Sequence, residues 1–313
     1  MLKCYGPGVT NAPDNATDAH EPLWFDLIDP TEEETRRVEK AIALDLPTRE
    51  EIREVEMSSR VRVQDDSICL NVPYFTHDEN EPPSPLGLVV TSTRLVSIRY
   101  GDSPAFAQAA KSITACSKGA DGATAFIRLT QAVVGQLADR LEAITAETGD
   151  LSMRILAETR HSTANLRKAL SAVGHLETRL TRTRLTIAGL QRIVAFTQEN
   201  GPDWVAKSET AQLKLAHKDL DVLGELDAQL TDKLQFLLDA VLGFINIDQN
   251  DVIKILTVAS VASIPPVVLA GIWGMNFVHM PELKWFYGYP LALLAIALSV
   301  VIPLLWFKRR GWL

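Results

Sequence analysis

Catalytic signatures are missing from this 313-residue chain. It has no Gly-rich phosphate loop, no GxSxG elbow, no HExxH pair and no two cysteines near enough in sequence to form a metal or redox motif. Its three cysteines, Cys4, Cys69 and Cys116, are far apart and odd in number, which excludes a disulfide framework and reads as free thiols. The six histidines (His20, His77, His161, His175, His217, His279) have no ligand spacing. The chain therefore reads as something other than an enzyme. A basic surplus is missing too. With 31 Lys and Arg against 39 Asp and Glu, the net charge is −8, and a nucleic-acid partner is excluded for want of a cationic face. Nor is the chain disordered, being 47% hydrophobic and 22% charged. The opening MLKCYGPGVTNAPDN contains no apolar h-region, so no cleaved signal is expected there.

What the chain has in excess is uncharged length near its end. Ile255 to Val278 and Trp285 to Phe307 are runs of 24 and 23 residues without Asp, Glu, Lys or Arg. About 20 apolar residues span a bilayer core as a helix. Two such runs in tandem read as two membrane spans. Lys254 precedes the first, and Lys308, Arg309 and Arg310 follow the second. Positive flanks stay in the cytoplasm, so both termini are expected there, with the 279–284 loop outside. Trp285, Phe286, Tyr287 and Tyr289 supply aromatics at one interface, Trp306, Phe307 and Trp312 at the other.

The rest is expected to be cytoplasmic. WFDLI, SICLNVPYF, LGLVV and RLVSIRY read as strands, and TEEETRRVEKAIAL and TREEIREVE as helices. Each helix opens with a capping box, at Thr31–Glu34 and Thr48–Glu51. The acid-rich stretch from Asp26 to Glu56 reads as a solvated face, and 81–85 (EPPSP) as a loop. From Ala123 to Asn200 the pattern is helical, weakly interrupted at Gly149-Asp150 and Gly174 and stopped by Gly201-Pro202.

A heptad seam follows: Leu213, Ala216, Leu220, Leu223, Asp227, Leu230, Leu234, Leu237, Val241 and Phe244. With no cap or proline between this seam and the first span, one helix from about Asp203 to Met275 is expected, on the order of 100 Å at 1.5 Å per residue. The seam offers a means of assembly. The expected layout is a loose leader over 1–22, an α/β domain over 23–122, and a helical hairpin over 123–202. A stalk helix follows over 203–278, its membrane part about 255–276, then the loop at 279–284, the second span at 285–307 and a basic tail at 308–313. The fold class is α+β, with a membrane part of two helices.

The first span is unusual for an anchor. It holds Thr257, Ser260, Ser263, Pro265-Pro266, Gly271 and Gly274, and such residues at membrane depth suit a helix that is packed in protein or lines water. Asp239, Asn246, Asn250, Ile253, Leu256, Ile264, Val267, Gly271 and Gly274 share one helical face. It is polar at the cytoplasmic end, apolar in the middle and small at the outer end.

At this point the motifs meet a family. Gly274-Met275-Asn276, then Met280-Pro281-Glu282-Leu283, Trp285, Gly288-Tyr289-Pro290 and a basic tail ending Trp312-Leu313 resemble the CorA magnesium transporters. The likeness reaches back through TRLVSIRYGD and DLPTREEIREVE to IDPTEEE. It implies a homopentamer in a bacterial inner membrane, passing hydrated Mg2+ and also Co2+ and Ni2+. In that reading Gly274, Met275 and Asn276 form the selectivity filter, with Asn276 as the outer selectivity asparagine and Glu282 in the outer loop. Asp239, Asn250, Ile253, Leu256, Ile264, Val267 and Gly271 line the pore. Mg2+ is then both cargo and regulatory ligand, with Asp219, Asp221 and Glu225 as candidate regulatory carboxylates. No organic cofactor is implied. Trp273 stands where the family commonly has Tyr, and Val278-His279 replace an often acidic stretch, so with Glu282 beside Lys284 the outer loop is close to neutral. Two alternatives stay open: a zinc transporter on the same scaffold, and a non-conducting, membrane-anchored sensor or scaffold.

Overall fold

The computed structural model describes residues 1–7, 9–10, 22–53, 61–64, 67–74, 84–116, 119–157, 163–200, 204, 207–275, 280–281 and 285–312. Seven strands form one mixed sheet: β1 (Leu2–Gly6), β2 (Val9–Thr10), β3 (Trp24–Ile28), β4 (Val61–Gln64), β5 (Ser67–Tyr74), β6 (Ser84–Thr91) and β7 (Leu95–Arg99). Their order is β2-β1-β3-β7-β6-β5-β4, with β3 and β7 parallel and the other neighbours antiparallel. Helices α1 (Glu32–Ile42), α2 (Arg49–Arg53) and α3 (Pro104–Thr114) accompany the sheet. The central strands read as nearly continuous apolar runs because both faces of the sheet are buried.

On one face Cys4, Phe25, Leu27, Val89, Val96 and Ile98 pack with Val38 of α1 and Ile52 of α2. Both capping boxes form: the Glu34 and Glu51 backbone N–H groups donate to the Thr31 and Thr48 hydroxyls at 3.3 Å, and each carboxylate accepts from its threonine's backbone N–H. The Thr48 backbone N–H and hydroxyl thereby hold the Glu51 carboxyl below the usual range. On the other face Trp24 and Tyr74 pack their rings against Phe106 of α3, at 6.0 and 5.7 Å between centroids.

That second face carries a buried polar chain. Trp24 Nε1 donates to Ser97 Oγ (2.9 Å), Ser97 Oγ donates to Asp26 Oδ1 (2.7 Å), and Arg99 grips Asp26 through Nε and Nη2 (3.0 and 2.9 Å). Asp26 is 0% and Arg99 4% exposed. The acid-rich stretch is thus not solvated throughout. Its first member is buried because strand alternation puts it beside Trp24 on the α3 side. The remaining Arg99 nitrogen donates to Gly101 O at 2.6 Å, and the guanidinium lies 4.4 Å from the Phe106 ring.

The first residues differ from the expected loose leader. Leu2–Gly6 pairs with β3 and covers what would otherwise be a bare sheet edge. Cys4 enters the core from it. Five residues followed by Pro7 and Gly8 are too short a run for alternation to mark a strand. Likewise Ser84 and Pro85, expected in a loop, begin β6, with Pro85 opposite Pro73 in the ladder; residues 81–83 lie outside the described set.

Helices α4 (Gly122–Ala157) and α5 (Thr163–Asn200) run straight through Gly149 and Gly174. No breaker strong enough to end a helix accompanies either glycine, so each costs only propensity. Gly189 has a packing reason to be there: a Cβ would sit 3.0 Å from Val72, where α5 approaches β5, and Thr186 Oγ1 donates to Pro73 O nearby at 3.1 Å. A long helix α6 (Lys207–Trp273) and a shorter α7 (Gly288–Arg309) complete the chain. The described chain divides into two compact units: Met1–Leu156 with Ser171–Leu237, and Ala157–Leu170 with Leu238–Leu313. The sheet, most of the α4–α5 pair and the lower part of α6 therefore belong together, rather than forming separate α/β, hairpin and stalk domains.

Asp26→Ala would strand the Arg99 guanidinium in the core. Thermal unfolding of the full chain should register a loss of about 3–5 kcal/mol. Asp26→Asn, which keeps an acceptor for Ser97, should lose less. Equal stability of wild type and Asp26→Ala would show that the pair carries no weight.

Candidate ion pathway

In the first unit, α6 packs along its predicted seam. Leu213, Ala216, Leu220, Leu223, Asp227, Leu230, Leu234 and Leu237 are all buried. They are buried within one chain, where Arg184, Ile187, Ala188 and Gln191 of α5 face Gly224, Asp227, Ala228 and Thr231 of α6 across a narrow groove. The seam is thus consumed internally and does not supply the means of assembly expected of it. Heptad spacing defines an apolar stripe but not which helix will cover it. What this part of α6 leaves uncovered is a different line, with Leu215, Val222 and Phe236 exposed.

The polar member of the seam has a partner. Asp227 Oδ2 accepts from Arg184 Nε at 2.5 Å, and Arg184 Nη2 also donates to the Thr231 hydroxyl. Asp227 is 3% exposed and its Oδ1 has no hydrogen-bond partner among the described residues. Burial pushes its carboxyl above the usual range, against the pull of Arg184. Nearly two turns earlier Gln191 Nε2 donates to Asp221 at 2.9 Å, and His217 Nε2 lies 3.8 Å from the same carboxylate. The sequence reading missed the Arg184 and Gln191 partnerships. A polar residue at a seam position was the available signal.

In the second unit, α6 and α7 are the two described helices long and apolar enough to cross a membrane, both largely uncovered in the single chain. Val258 of α6 is buried and positions 254, 262, 265, 266, 269 and 273 are half-buried along one side of the helix, with Thr257 and Ser260 half-buried elsewhere. The candidate face lies off that side. Ile253, Leu256, Ile264 and Val267 are 59–69% exposed, and Asp239, Asn246, Asn250, Gly271 and Gly274 are exposed as well. Two hydroxyls in this stretch are turned onto their own helix: Thr257 Oγ1 donates to Ile253 O at 2.8 Å and Ser260 Oγ to Leu256 O at 2.9 Å. Pro265 and Pro266 sit inside the continuous helix and remove two backbone donors at membrane depth.

The helix ends at the motif. Gly274 N–H donates to Ala270 O at 2.9 Å and Met275 N–H to Ile272 O at 3.2 Å, the two residues forming a turn just past the last helical residue, Trp273. A Cβ on Gly274 would stand 3.1 Å from Ala270 O, tighter than ordinary contact. Asn276 and Glu282 lie outside the described residues. Of the regulatory candidates, Asp219, Asp221 and Glu225 are all exposed on α6, with Asp221 occupied by Gln191. Among the described residues no three His, Cys, Asp or Glu side chains converge as a metal site within the chain.

Two apolar helices following a soluble α/β part, with a long helix common to both units, define a membrane protein with a large soluble portion. The chain belongs to the family described as CorA-like Mg2+ transporter protein, whose model matches residues 20–309. The magnesium transport protein CorA of Escherichia coli K12 is 33% identical over 299 residues, covering 93% of this chain and 92% of its own length. That of Salmonella typhimurium LT2 is 33% identical over 301 residues, covering 94% and 92%. Among solved structures, the complete CorA magnesium transporter of Methanocaldococcus jannaschii superposes with a TM-score of 0.77 at 18% identity, over 100% of this chain and 99% of that one. Members of this family are transport proteins.

Because the folded chain holds the Asp227 proton more tightly than the unfolded one, this group's stabilising contribution is full below the ordinary carboxylate range. It is lost as pH rises through the raised folded value. Asp227→Asn removes the titration. Its unfolding midpoint relative to wild type should therefore rise between pH 4 and pH 7 in thermal scans of the full chain. A difference constant with pH would rule out a raised Asp227.

Proposed function

We propose that this chain is a magnesium transporter of the bacterial inner membrane, working as a homopentamer with five α6 helices around a central pore. One observation carries the reading. On the approach to the Gly274-Met275-Asn276 motif, Ile253, Leu256, Ile264 and Val267 form an apolar face of α6 that the other described residues leave largely exposed. Two membrane helices cannot enclose a channel, so that apolar face, with Asn250 below it and Gly271 and Gly274 above, needs copies of itself to surround a pore. The exposed line of Leu215, Val222 and Phe236 supplies apolar surface for neighbouring copies lower on α6.

The chemistry suits a hydrated ion. Mg2+ gives up its waters reluctantly. A ring of Asn276 carbonyl oxygens at the outer mouth accepts hydrogen bonds from those waters, with Gly274 and Met275 shaping the turn that presents it. A carboxylate ring at that depth would hold the ion too tightly to conduct, and the span has no carboxylate. Rings of Ile253, Leu256 and Ile264 close by dewetting, because Thr257 and Ser260 spend their hydroxyls on the helix backbone. Val267 and Gly271 continue the lining outward, while Asn250 and Asp239 receive the ion on the cytoplasmic side. Glu282 belongs to a loop whose charge Lys284 offsets, so selection rests on size and hydration more than on attraction.

Entry is driven by the membrane potential. Two charges crossing 100 mV gain about 4.6 kcal/mol. Positive residues at Lys254 and after Phe307 favour both termini inside. Hydrated Co2+ and Ni2+ are of similar size and pass by the same route. Internal Mg2+ closes the pore by binding between neighbouring copies, where exposed Asp219, Asp221 and Glu225 can meet carboxylates of the next chain; no one chain gathers such a site among its described residues.

Uptake into proteoliposomes tests this, with oligomer mass checked first. Mg2+ entry should fall at least tenfold in Asn276→Ala while the five-copy assembly persists. Leu256→Asn, which wets the apolar ring, should leak Mg2+ even at high internal concentration. Zn2+ flux indifferent to excess Mg2+ would move the protein to a zinc function. No flux from intact oligomers would leave an anchored sensor or scaffold.

A further inference from the structure

The end of α7 is built in a way that ion passage does not require. The helix closes through a Schellman motif: Gly311 N–H donates to Lys308 O and Trp312 N–H to Phe307 O, at 3.2 and 3.1 Å. Gly311 holds φ +70, a conformation glycine adopts without strain. The turn brings the Trp312 ring onto buried Phe307, stacked at 5.3 Å between centroids. Arg310 lies over Trp306, 4.8 Å from its ring.

This cap changes what the cations are for. Lys and Arg at a helix C-terminus often bond the last carbonyls, but here backbone N–H groups do so. Lys308, Arg309 and Arg310 are exposed, and no carboxylate among the described residues lies within ion-pair distance of them. They follow without a break on an apolar helix of membrane-spanning length. Two unspent cations, a third whose guanidinium rests on Trp306, and two indole rings thus occupy the level where hydrocarbon gives way to headgroups.

We propose that the capped end of α7 is a binding site for anionic phospholipid. Lys308, Arg309 and Arg310 engage headgroup phosphates, and Trp306 with the folded-back Trp312 seats the site at the acyl boundary. The proposal rests on α7 spanning the membrane and is independent of which ion the protein carries. The lipid source is favoured over a soluble phosphate because the site is continuous with the apolar helix and half of it is aromatic.

The test uses the full chain in neutral detergent, with phosphatidylglycerol and phosphatidylcholine titrated separately and bound lipid counted by native mass spectrometry. Wild type should prefer phosphatidylglycerol. Changing Lys308, Arg309 and Arg310 to Gln should erode the preference by on the order of fivefold per cation, whereas Arg309→Lys should keep it. Arg36→Gln with Arg37→Gln, on exposed α1, should leave it untouched. Gly311→Ala, strained at that φ, should weaken it with every charge intact. If the triple variant does not assemble, Arg309→Gln alone is read. An unchanged preference in the charge variants overturns the proposal, and so does full competition by millimolar inorganic phosphate. Flotation of all variants with vesicles reads the membrane-spanning assignment separately, so its failure is distinguishable.

Discussion

An unbroken helix from Lys207 to Trp273 must satisfy two environments with one backbone. In hydrocarbon every N–H and C=O has to be bonded within the segment, so the upper part of α6 can be little other than helix. Lower down, stability comes from burying a stripe, because propensity alone does not sustain a long isolated helix in water. The two demands select different residues. Leucines repeat along one line from Leu213 to Leu237, and uncharged residues occupy all sides above Lys254. The lower stripe is buried inside the chain, whereas the face approaching Gly274-Met275-Asn276 stays exposed among the described residues, and the proposed pore depends on that exposed face.

Two buried ionic pairs occupy places where a simple pattern would put apolar side chains. Asp26–Arg99 sits between parallel strands and is fully hydrogen-bonded, with Ser97 and Trp24 extending it and Phe106 beneath the guanidinium. Asp227–Arg184 is less complete, since one carboxylate oxygen has no hydrogen-bond partner among the described residues and the arginine is half exposed. The first is expensive to break and rigidifies the sheet. The second leaves its carboxyl holding a proton more readily than usual, at the junction of α5 and α6.

Much of this was legible in the sequence because the signals were periodic or chemical. The strands Trp24–Ile28, Ser67–Tyr74 and Leu95–Arg99 stood out as short apolar runs, and both capping boxes formed where threonine and glutamate are three apart. The seam residues from Leu213 to Val241 are buried as the heptad pattern required, and Phe244 is half-buried. What failed did so where periodicity had no length to act on or no partner to name. Leu2–Gly6 is too short to announce itself, and pairing with β3 makes it a strand. Asp26 counted as one acid among many until its register opposite Ser97 buried it.

By itself, then, the sequence determined the two apolar spans, the continuity of α6 and the motif that closes it, since length without charge, a missing helix breaker and a specific tripeptide are local properties. Only the tertiary structure decided which helix covers the leucine seam, which carboxylates are buried and which face of α6 stays bare. Those are outcomes of packing between segments distant in sequence. A stripe of leucines has the same spacing whether it meets another copy of the chain or, as here, the chain's own α5.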